Sequence, residues 1–527
     1  MNSKLTHYRM RDSILSGTSV EVIDMRIIIQ LKWEVRLVIL LLAPFLLSHL
    51  AVTGSAQEQA TPAGPLAAPQ KIQPPVSREI LKVKLPKAEE ATLKNGLRVM
   101  VLEGYDQLPT FTMQMVILSG GLSDPPDPRG LASFTAALLR EGTKTRTSRE
   151  IAEQVESLGA TLNANSDLSS LTSTVTSSGL AQNFDRVLDI FADVVREPAF
   201  PADELEKYKT RTVSQLQVQR TNPRFLAQER FARAIYGEHP AGFISAPVDS
   251  LQRATAADLK QFHSRHYLPN NAILAVVGQI TLKDILSKIE REFGDWKRGD
   301  APKTKISALP AQSQTKIYLI DRPGSVQTAI QLGNLGITRT DPDYFALLVM
   351  DKIVGNDPSA RLFRNLREAK GYTYGAYSQF SGSKFRGTWA ANSEVRTAVT
   401  EGAMKEFMSE LKRIRDERVP SDELDNSKRA LIGSFALSLE RPATLLQNII
   451  TQKLYSLPAD YWDTYSQKVA AITAVDVQRA AQKYIDLEHL QIVAVGDASK
   501  IREALAKYGT VESYDSEGTL VTGVSNK

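Results

Sequence analysis

The chain has 527 residues, 42% of them hydrophobic and 23% charged, which excludes wholesale disorder and a multi-span membrane protein and leaves room for roughly two to four domains. It has no cysteine and six histidines, so thiolate catalysis, disulfide frameworks, zinc ribbons and iron–sulfur clusters are excluded. The net charge of +5, from 64 Lys and Arg against 59 Asp and Glu, is too small a bias to argue for nucleic acid.

The longest apolar run is residues 37–52 (LVILLLAPFLLSHLAV), preceded by Arg26, Lys32 and Arg36 and followed by Thr53-Gly54-Ser55-Ala56. Basic, apolar and small-residue regions in that order read as a secretory signal peptide over 1–56, cleaved near Ala56. The expectation is export to a periplasm or cell surface. The protein stays membrane-associated if the signal is retained. Met25 is a second candidate start, and a more typical one. Residues 57–86 are rich in Ala, Pro and Gln and read as a linker.

Folded sequence follows, with an N-terminal domain expected over 87–297. Asn95-Gly96 lies between two apolar-alternating runs, a hairpin signal. Phe111, Met113, Met115 and Ile117 alternate as a strand with that face inward. A Pro-rich loop, Asp124 to Pro128, leads to a helix expected from Gly130 to Glu141. Thr147 and Glu150 have capping-box spacing for the next helix, which Gly159 ends. Phe184, Val187, Leu188, Phe191, Val194 and Val195 form a helical core stripe.

The second half repeats the first. Pro201-Ala202-Asp203-Glu204-Leu205 returns as Pro420-Ser421-Asp422-Glu423-Leu424, and Tyr236 returns as Tyr455 at the same offset. Thr255 and Asp258 return as Thr473 and Asp476, and the strand ending at Gly278 as one ending at Gly496. These later pairs share an offset shorter by a single position. The fold class is therefore α+β: two homologous α/β sandwich domains, each an antiparallel sheet with packed helices. The polar stretch 298–315 is the expected interdomain linker, 316–508 the C-terminal domain and 509–527 a tail.

These segments together resemble the insulinase/pitrilysin family of inverted zinc peptidases, in its two-domain, mitochondrial-processing-peptidase-like form. The resemblance rests on Thr92 to Leu97, on Gly130-Leu131-Ala132, on Leu158 to Ala164 and on His266 to Gly278. In the second half it rests on Ser359-Ala360-Arg361-Leu362-Phe363 and on Leu366 to Tyr374. It implies a chain that forms part of a clamshell chamber. Active members carry H-x-x-E-H on the helix after Gly-Leu-Ala and a further glutamate on a later helix. Two histidines four apart share a helix face and hold zinc, while the glutamate takes a proton from the metal-bound water.

Alignment on Gly130-Leu131-Ala132 places Ser133 and Ala137 at the histidine positions and Ala136 at the base. The distant ligand falls near Ser214 or Gln215, in a run without a carboxylate. This chain is thus expected to have no catalytic residue of its own and to bind no metal, with zinc held by a partner subunit. Beyond the signal, the remaining histidines are His239, His263, His266 and His489. His263 and His266 have a spacing that could share a metal, but no carboxylate lies between them. They read as a solvated helix end, His239 as a loop residue and His489 as the entrance to a strand.

The C-terminal block is intact. Asp357 and Pro358 are suited to start a helix, with Leu362, Phe363 and Leu366 buried and Gly371 as its stop. Arg367 then falls at the helix end and Tyr374 in the next strand. In the family, the resembling Arg and Tyr bind the substrate backbone near the zinc. An arginine fork and a phenol can hold a peptide carbonyl and its developing oxyanion. Alternatively, Arg367 pairs with a surface carboxylate and Tyr374 packs. The family also binds peptide by strand addition, here expected along residues 162–167. The loop Gly355-Asn356-Asp357 lacks the glycine run of some non-catalytic members.

The expected function is an exported, non-catalytic subunit of a two-chain zinc metallopeptidase, binding unfolded peptide or protein segments. Its partner is a related zinc-bearing subunit, in a heterodimer or heterotetramer. The alternatives are a non-proteolytic envelope scaffold or peptide-binding protein, and an active peptidase with substitute ligands.

Overall fold

The computed structural model describes residues 79–104, 108–515 and 517–521. The signal and most of the first linker lie outside the described residues. In the first half the strands are β1 (Glu89–Thr92), β2 (Arg98–Glu103), β3 (Thr110–Ile117), β4 (Thr161–Asn165), β5 (Ser173–Leu180) and β6 (Ala272–Gly278). The helices are α1 (Leu131–Leu138), α2 (Ser148–Ser157), α3 (Phe184–Arg196), α4 (Ala202–Arg220), α5 (Pro223–Tyr236), α6 (Val248–Arg253), α7 (Ala256–His266) and α8 (Leu282–Phe293).

The second half holds β7 (Lys316–Asp321), β8 (Gln327–Leu335), β9 (Thr373–Phe380), β10 (Thr388–Arg396), β11 (Gln491–Gly496) and β12 (Thr510–Tyr514). Its helices are α9 (Tyr344–Val354), α10 (Arg361–Phe363, continued by a π-helical turn Arg364–Ala369), α11 (Thr400–Asp416), α12 (Ser421–Ser438), α13 (Pro442–Leu454), α14 (Tyr465–Ala471), α15 (Ala474–Tyr484) and α16 (Ala498–Ala506).

Two six-stranded sheets follow one plan, ordered β1-β2-β6-β3-β5-β4 and β12-β7-β11-β8-β10-β9. Most pairs are antiparallel, but β2 with β6, β7 with β11 and β7 with β12 run parallel. The expected antiparallel sheets are therefore mixed. The halves differ at one margin, where β1 comes from the start of the first half and β12 from the end of the second. The expected tail beyond 508 accordingly begins with a strand. Its short sequence (TVESY) has a weak alternation signal, and pairing to β7 supplies what the pattern does not.

Each sheet is buried on both faces, one of them by the other half. Along β6, Leu274 and Val276 join the core of the first half, with Phe111, Met113, Met115 and the α3 stripe. Ile273, Ala275 and Val277 point the other way, into a core shared with Leu445, Leu446 and Ile450 of α13. Along β11, Ile492 and Ala494 join that second-half core, while Val493 and Val495 meet Leu226, Phe231 and Ile235 of α5. The helices that cross over, α5 and α13, begin at Pro223 and Pro442, which keep the offset of the tyrosine pair Tyr236 and Tyr455. Both strands thus read as continuous apolar runs because both of their faces are covered.

Local signals hold with adjustments. The capping boxes at Thr147/Glu150, Thr255/Asp258 and Thr473/Asp476 all form. Gly159 (φ +59°) and Gly371 (φ +61°) take the left-handed conformation that ends their helices. The Asn95-Gly96 turn is longer than a two-residue hairpin: Leu93 N–H donates to Leu97 O at 2.9 Å. The Asn95 amide instead donates to the carbonyls of Phe293 (2.6 Å) and Trp296 (3.1 Å), tying the turn to the end of α8. At the end of the first linker, Leu85 is buried and its N–H donates to Asp463 at 2.9 Å. The linker 298–315 has no regular structure and is pinned by Thr304 to Ser123 (2.7 Å) and by Gln312 to Ile235 O (3.0 Å). Among the described residues, no helix is long and apolar enough to cross a membrane.

Candidate functional site: a helix without metal donors and an aromatic strand edge

Helix α1 starts one residue later and ends three residues earlier than expected, because Gly130 (φ +101°) is its cap rather than its first residue. The Asp124 carboxylate accepts from the N–H groups of Gly130 and Ala132, both at 2.8 Å. This satisfies donors that a helix start leaves open. Burial pushes the Asp124 carboxyl up to about 7, against the pull of those two N–H groups and of Arg129.

Ser133 and Ala137 on α1 stand at i and i+4, and Arg140, in the turn directly after it, lies on the same side toward β4. The Ser133 hydroxyl donates to Ser166 O, and Arg140 Nη1 to Leu162 O at 3.0 Å. Ala136 is fully buried. Across residues 207–220 of α4 there is no Asp or Glu. There Ser214 and Gln215 are both exposed, and the Ser214 hydroxyl bonds back to Thr210 O at 3.0 Å. A hydroxyl already donating, two methyl groups, an amide and a nearby guanidinium do not form a zinc donor set. The residues present do not fit the metal that the family implies.

The histidines rebuild nothing. His263 and His266 are not at a solvated helix end but packed inward. His263 Nε2 bonds Val195 O at 2.8 Å, and its ring stacks on Tyr267 at 4.6 Å. His266 Nδ1 lies 3.0 Å from Ser119 Oγ. Burial holds both imidazoles down to about 4, so they are neutral core groups. His239 caps the turn at Pro240–Gly242, accepting from Ala241 N–H at 3.0 Å, and is buried. His489 precedes β11 and pairs with Asp486 at 2.7 Å.

Residues 162–167 divide between β4 and the loop after it. As the last strand of its sheet, β4 pairs only with β5. One margin of it is open, apart from the bond that Arg140 sends to Leu162 O; the bond from Ser133 falls on Ser166 in the loop beyond.

The second-half block is positioned from α9. Asp351, fully buried, accepts from Ser378 Oγ (2.6 Å), Trp389 Nε1 (3.2 Å) and Asn356 Nδ2 (2.8 Å). Burial raises it to about 6 against those three bonds. It clamps β9, β10 and the loop after α9 together. A Cβ on Gly355 would come within 2.4 Å of Ser378 N, so this glycine serves close packing. Asp357 caps only a turn, accepting from Ser359 N–H at 2.8 Å. The helix itself begins at Arg361, which forms a bidentate pair with Glu423 at 2.9 and 2.7 Å.

Arg367 lies in the π-helical turn, exposed, with its guanidinium 5.0 Å from the centre of the Phe363 ring. Among the described residues it has no ion pair. Tyr374 is 86% exposed, so it does not pack. A β-bulge explains this. Pairs Ser393↔Ala376 and Val395↔Thr373 leave Tyr374 and Gly375 opposite the single Glu394. Tyr374 has the parity of the buried Ala376 and Ser378, and the bulge turns it outward. Gly375 leaves room for the Tyr377 ring, which would come within 2.6 Å of a Cβ there. Tyr377 in turn packs on Phe363 at 5.6 Å. Arg367, Phe363 and Tyr377 thus contact one another in series beside β9, the last strand of the second sheet, and Tyr374 stands exposed on that same strand. Among the described residues, no hydrogen bond joins Arg367 to Tyr374.

This edge is tied to the first half. Glu394, opposite the bulge, pairs with Arg224 of α5 at 2.7 Å, and Arg322 donates to Thr221 O at 2.6 Å. The elbow after α4 therefore meets the bulged end of the second sheet. The sequence reading missed Asp351, Tyr377 and Arg140. Each is defined by a partner distant along the chain: Ser378 and Trp389 for Asp351, Phe363 for Tyr377 and Leu162 for Arg140.

Two family models match the chain: "Insulinase (Peptidase family M16)" over residues 99–245 and "Peptidase M16 inactive domain" over 253–431. Together they span more than half of it. The chain is 25% identical over 350 residues to the uncharacterized zinc protease YmxG of Bacillus subtilis, covering 66% of this chain and 84% of that protein. It is 23% identical over 433 residues to an uncharacterized zinc protease of Streptomyces coelicolor, covering 79% and 92%. Its fold matches the crystal structure of a peptidase M16 inactive domain from Pseudomonas fluorescens, with TM-score 0.71 and 29% identity over 78% of this chain and 98% of that one. A protease from Helicobacter pylori has the same fold, with TM-score 0.72, 22% identity, and 78% and 100% coverage. On these matches and the duplicated two-sheet architecture, the chain belongs to the insulinase (peptidase M16) family.

Proposed function

We propose that this chain is the non-catalytic subunit of an exported two-chain zinc peptidase, which holds unfolded peptide while a related partner supplies the metal. The observation that carries this reading is a contrast between two sites on one fold. The metal helix offers Ser133, Ala136 and Ala137, with no carboxylate near Ser214. The substrate-facing block instead turns Tyr374 out on a bulge and leaves Arg367 without an acid partner among the described residues.

In this reading an extended peptide lies along a strand margin, its main chain bonded to the edge. Arg367 and Tyr374 donate to a carbonyl oxygen beside the partner's metal. A guanidinium and a phenol both carry hydrogen-bond donors, so both suit an oxygen that gains negative charge. The signal over residues 1–56 would place the pair outside the cytoplasm.

The test is to co-express the chain with a two-domain relative carrying H-x-x-E-H, purify the complex, and measure its zinc and its cleavage of an unfolded peptide. One zinc per pair, with cleavage by the complex and none by this chain alone, is expected. Stoichiometric zinc and chelator-sensitive cleavage by the isolated chain would overturn the reading. A stable homodimer that never captures the zinc-bearing relative would favour a scaffold role instead.

A further inference from the structure

Where the linker passes the joint between the halves, a cavity of about 420 Å³ opens, a size typical of small-molecule sites. Four cations line it, each from a different piece of the chain: Arg98 at the start of β2, Lys303 of the linker, Lys384 between β9 and β10, and Lys453 in the last turn of α13. No Asp or Glu is among its lining residues. Lys453 pairs with Glu90 at 2.7 Å. Among the described residues, Arg98, Lys303 and Lys384 have no ion pair.

The rest of the wall suits an anion as well. The carbonyls that end α13 would oppose negative charge, but those of Gln452 and Lys453 accept from the N–H groups of Leu457 (2.9 Å) and Ser456 (3.3 Å). Thr304 holds the linker against the first half through Ser123 at 2.7 Å, which keeps Lys303 at the cavity. Like charges around a concave wall repel one another and focus a positive potential inward. A single carboxylate would offset only one of three unpaired cations. A compact anion with several charges would offset them together and link both halves through the linker.

We propose that this seam cavity binds a polyvalent phosphate, either a free oligophosphate or a phosphate-bearing headgroup. The assignment is independent of the peptide-holding role, since it uses none of the residues at the β9 edge.

The test uses the full chain with sodium triphosphate, against sodium chloride at matched ionic strength. A saturable rise in Tm with triphosphate alone is expected, together with a binding isotherm by calorimetry. The double variant Lys303→Gln/Lys384→Gln should keep or raise its unliganded Tm, because neither side chain has an ion-pair partner to lose and their mutual repulsion is relieved, and should weaken binding by about tenfold or more. Capture by phosphatidic acid vesicles but not by phosphatidylcholine vesicles, lost in the same variant, would assign the phosphate to a lipid headgroup. Equal Tm shifts from chloride, unchanged binding by the double variant, or no binding of either phosphate source would overturn the proposal.

Discussion

Ser456 and Gly237 show how single residues carry the duplication into backbone geometry. They occupy equivalent places in the two halves, each directly after the tyrosine that follows or ends a cross-over helix, and both have positive φ, +52° and +56°. Glycine adopts that conformation freely, whereas a serine there is strained. Ser456→Gly is therefore expected to stabilise the protein, by about 0.5–1 kcal/mol after the entropy that glycine loses on folding. The midpoint of urea denaturation measures it, and a lower midpoint would contradict the account.

The buried histidines predict the acid response at the same scale. His263 and His266 titrate near 4 in the folded chain because burial disfavours their charged forms, whereas an unfolded histidine titrates at about 6.5. A depressed folded value means that the stabilisation is complete above about pH 6.5 and is lost as pH falls toward 4. It amounts to at most about 3 kcal/mol per histidine. Asp351, raised to about 6, acts in the opposite sense, so a comparison of variants isolates the histidine. The stability of His266→Gln should fall less than that of the wild type between pH 7 and pH 4.5. Parallel curves would remove His266 from the acid response.

At the scale of elements, the missing donor atoms of α1 were legible from residue types alone, because zinc needs donors and Ala136 and Ala137 have none. What occupies that face was not legible. Arg140 and Ser133 bond to carbonyls of the β4 region, and those partners lie 22 and 33 residues away. Ala136 is fully buried. Placing the family's base there, Ala136→Glu, buries a carboxylate with no metal to meet it. A loss of about 2–4 kcal/mol is expected, measured by denaturation, and an unchanged midpoint would contradict the packing described.

The β9 edge divides in the same way. Its residues and their order could be read from the sequence, and Gly371 ends the helix as its position suggested. The outward turn of Tyr374 depends on a bulge set by pairing with β10, which no local pattern in 373–380 reveals. The helix expected from Pro358 starts instead at Arg361, where pairing with Glu423 fixes the first turn.

Across the whole molecule, the repeat was legible because several anchors kept a near-constant spacing. The exchange of α5 and α13 between the halves was not. A covering helix looks equally apolar whichever sheet it covers. Each half alone would expose the sheet face that the other half's helix buries. Residues 87–297 or 316–521 expressed separately should therefore aggregate or fail to fold, whereas 79–521 should unfold in one cooperative transition. A soluble isolated half with native circular dichroism would contradict the shared cores.

Whether this chain lends substrate-holding groups to a metal it does not carry is tested most directly by the variant rates of the assembled peptidase. With the zinc-bearing partner in place, Arg367→Ala and Tyr374→Phe are each expected to lower kcat/KM for an unfolded peptide by about ten- to a hundredfold. Assembly and zinc content should stay unchanged. Wild-type rates from both variants in an intact complex would contradict the account.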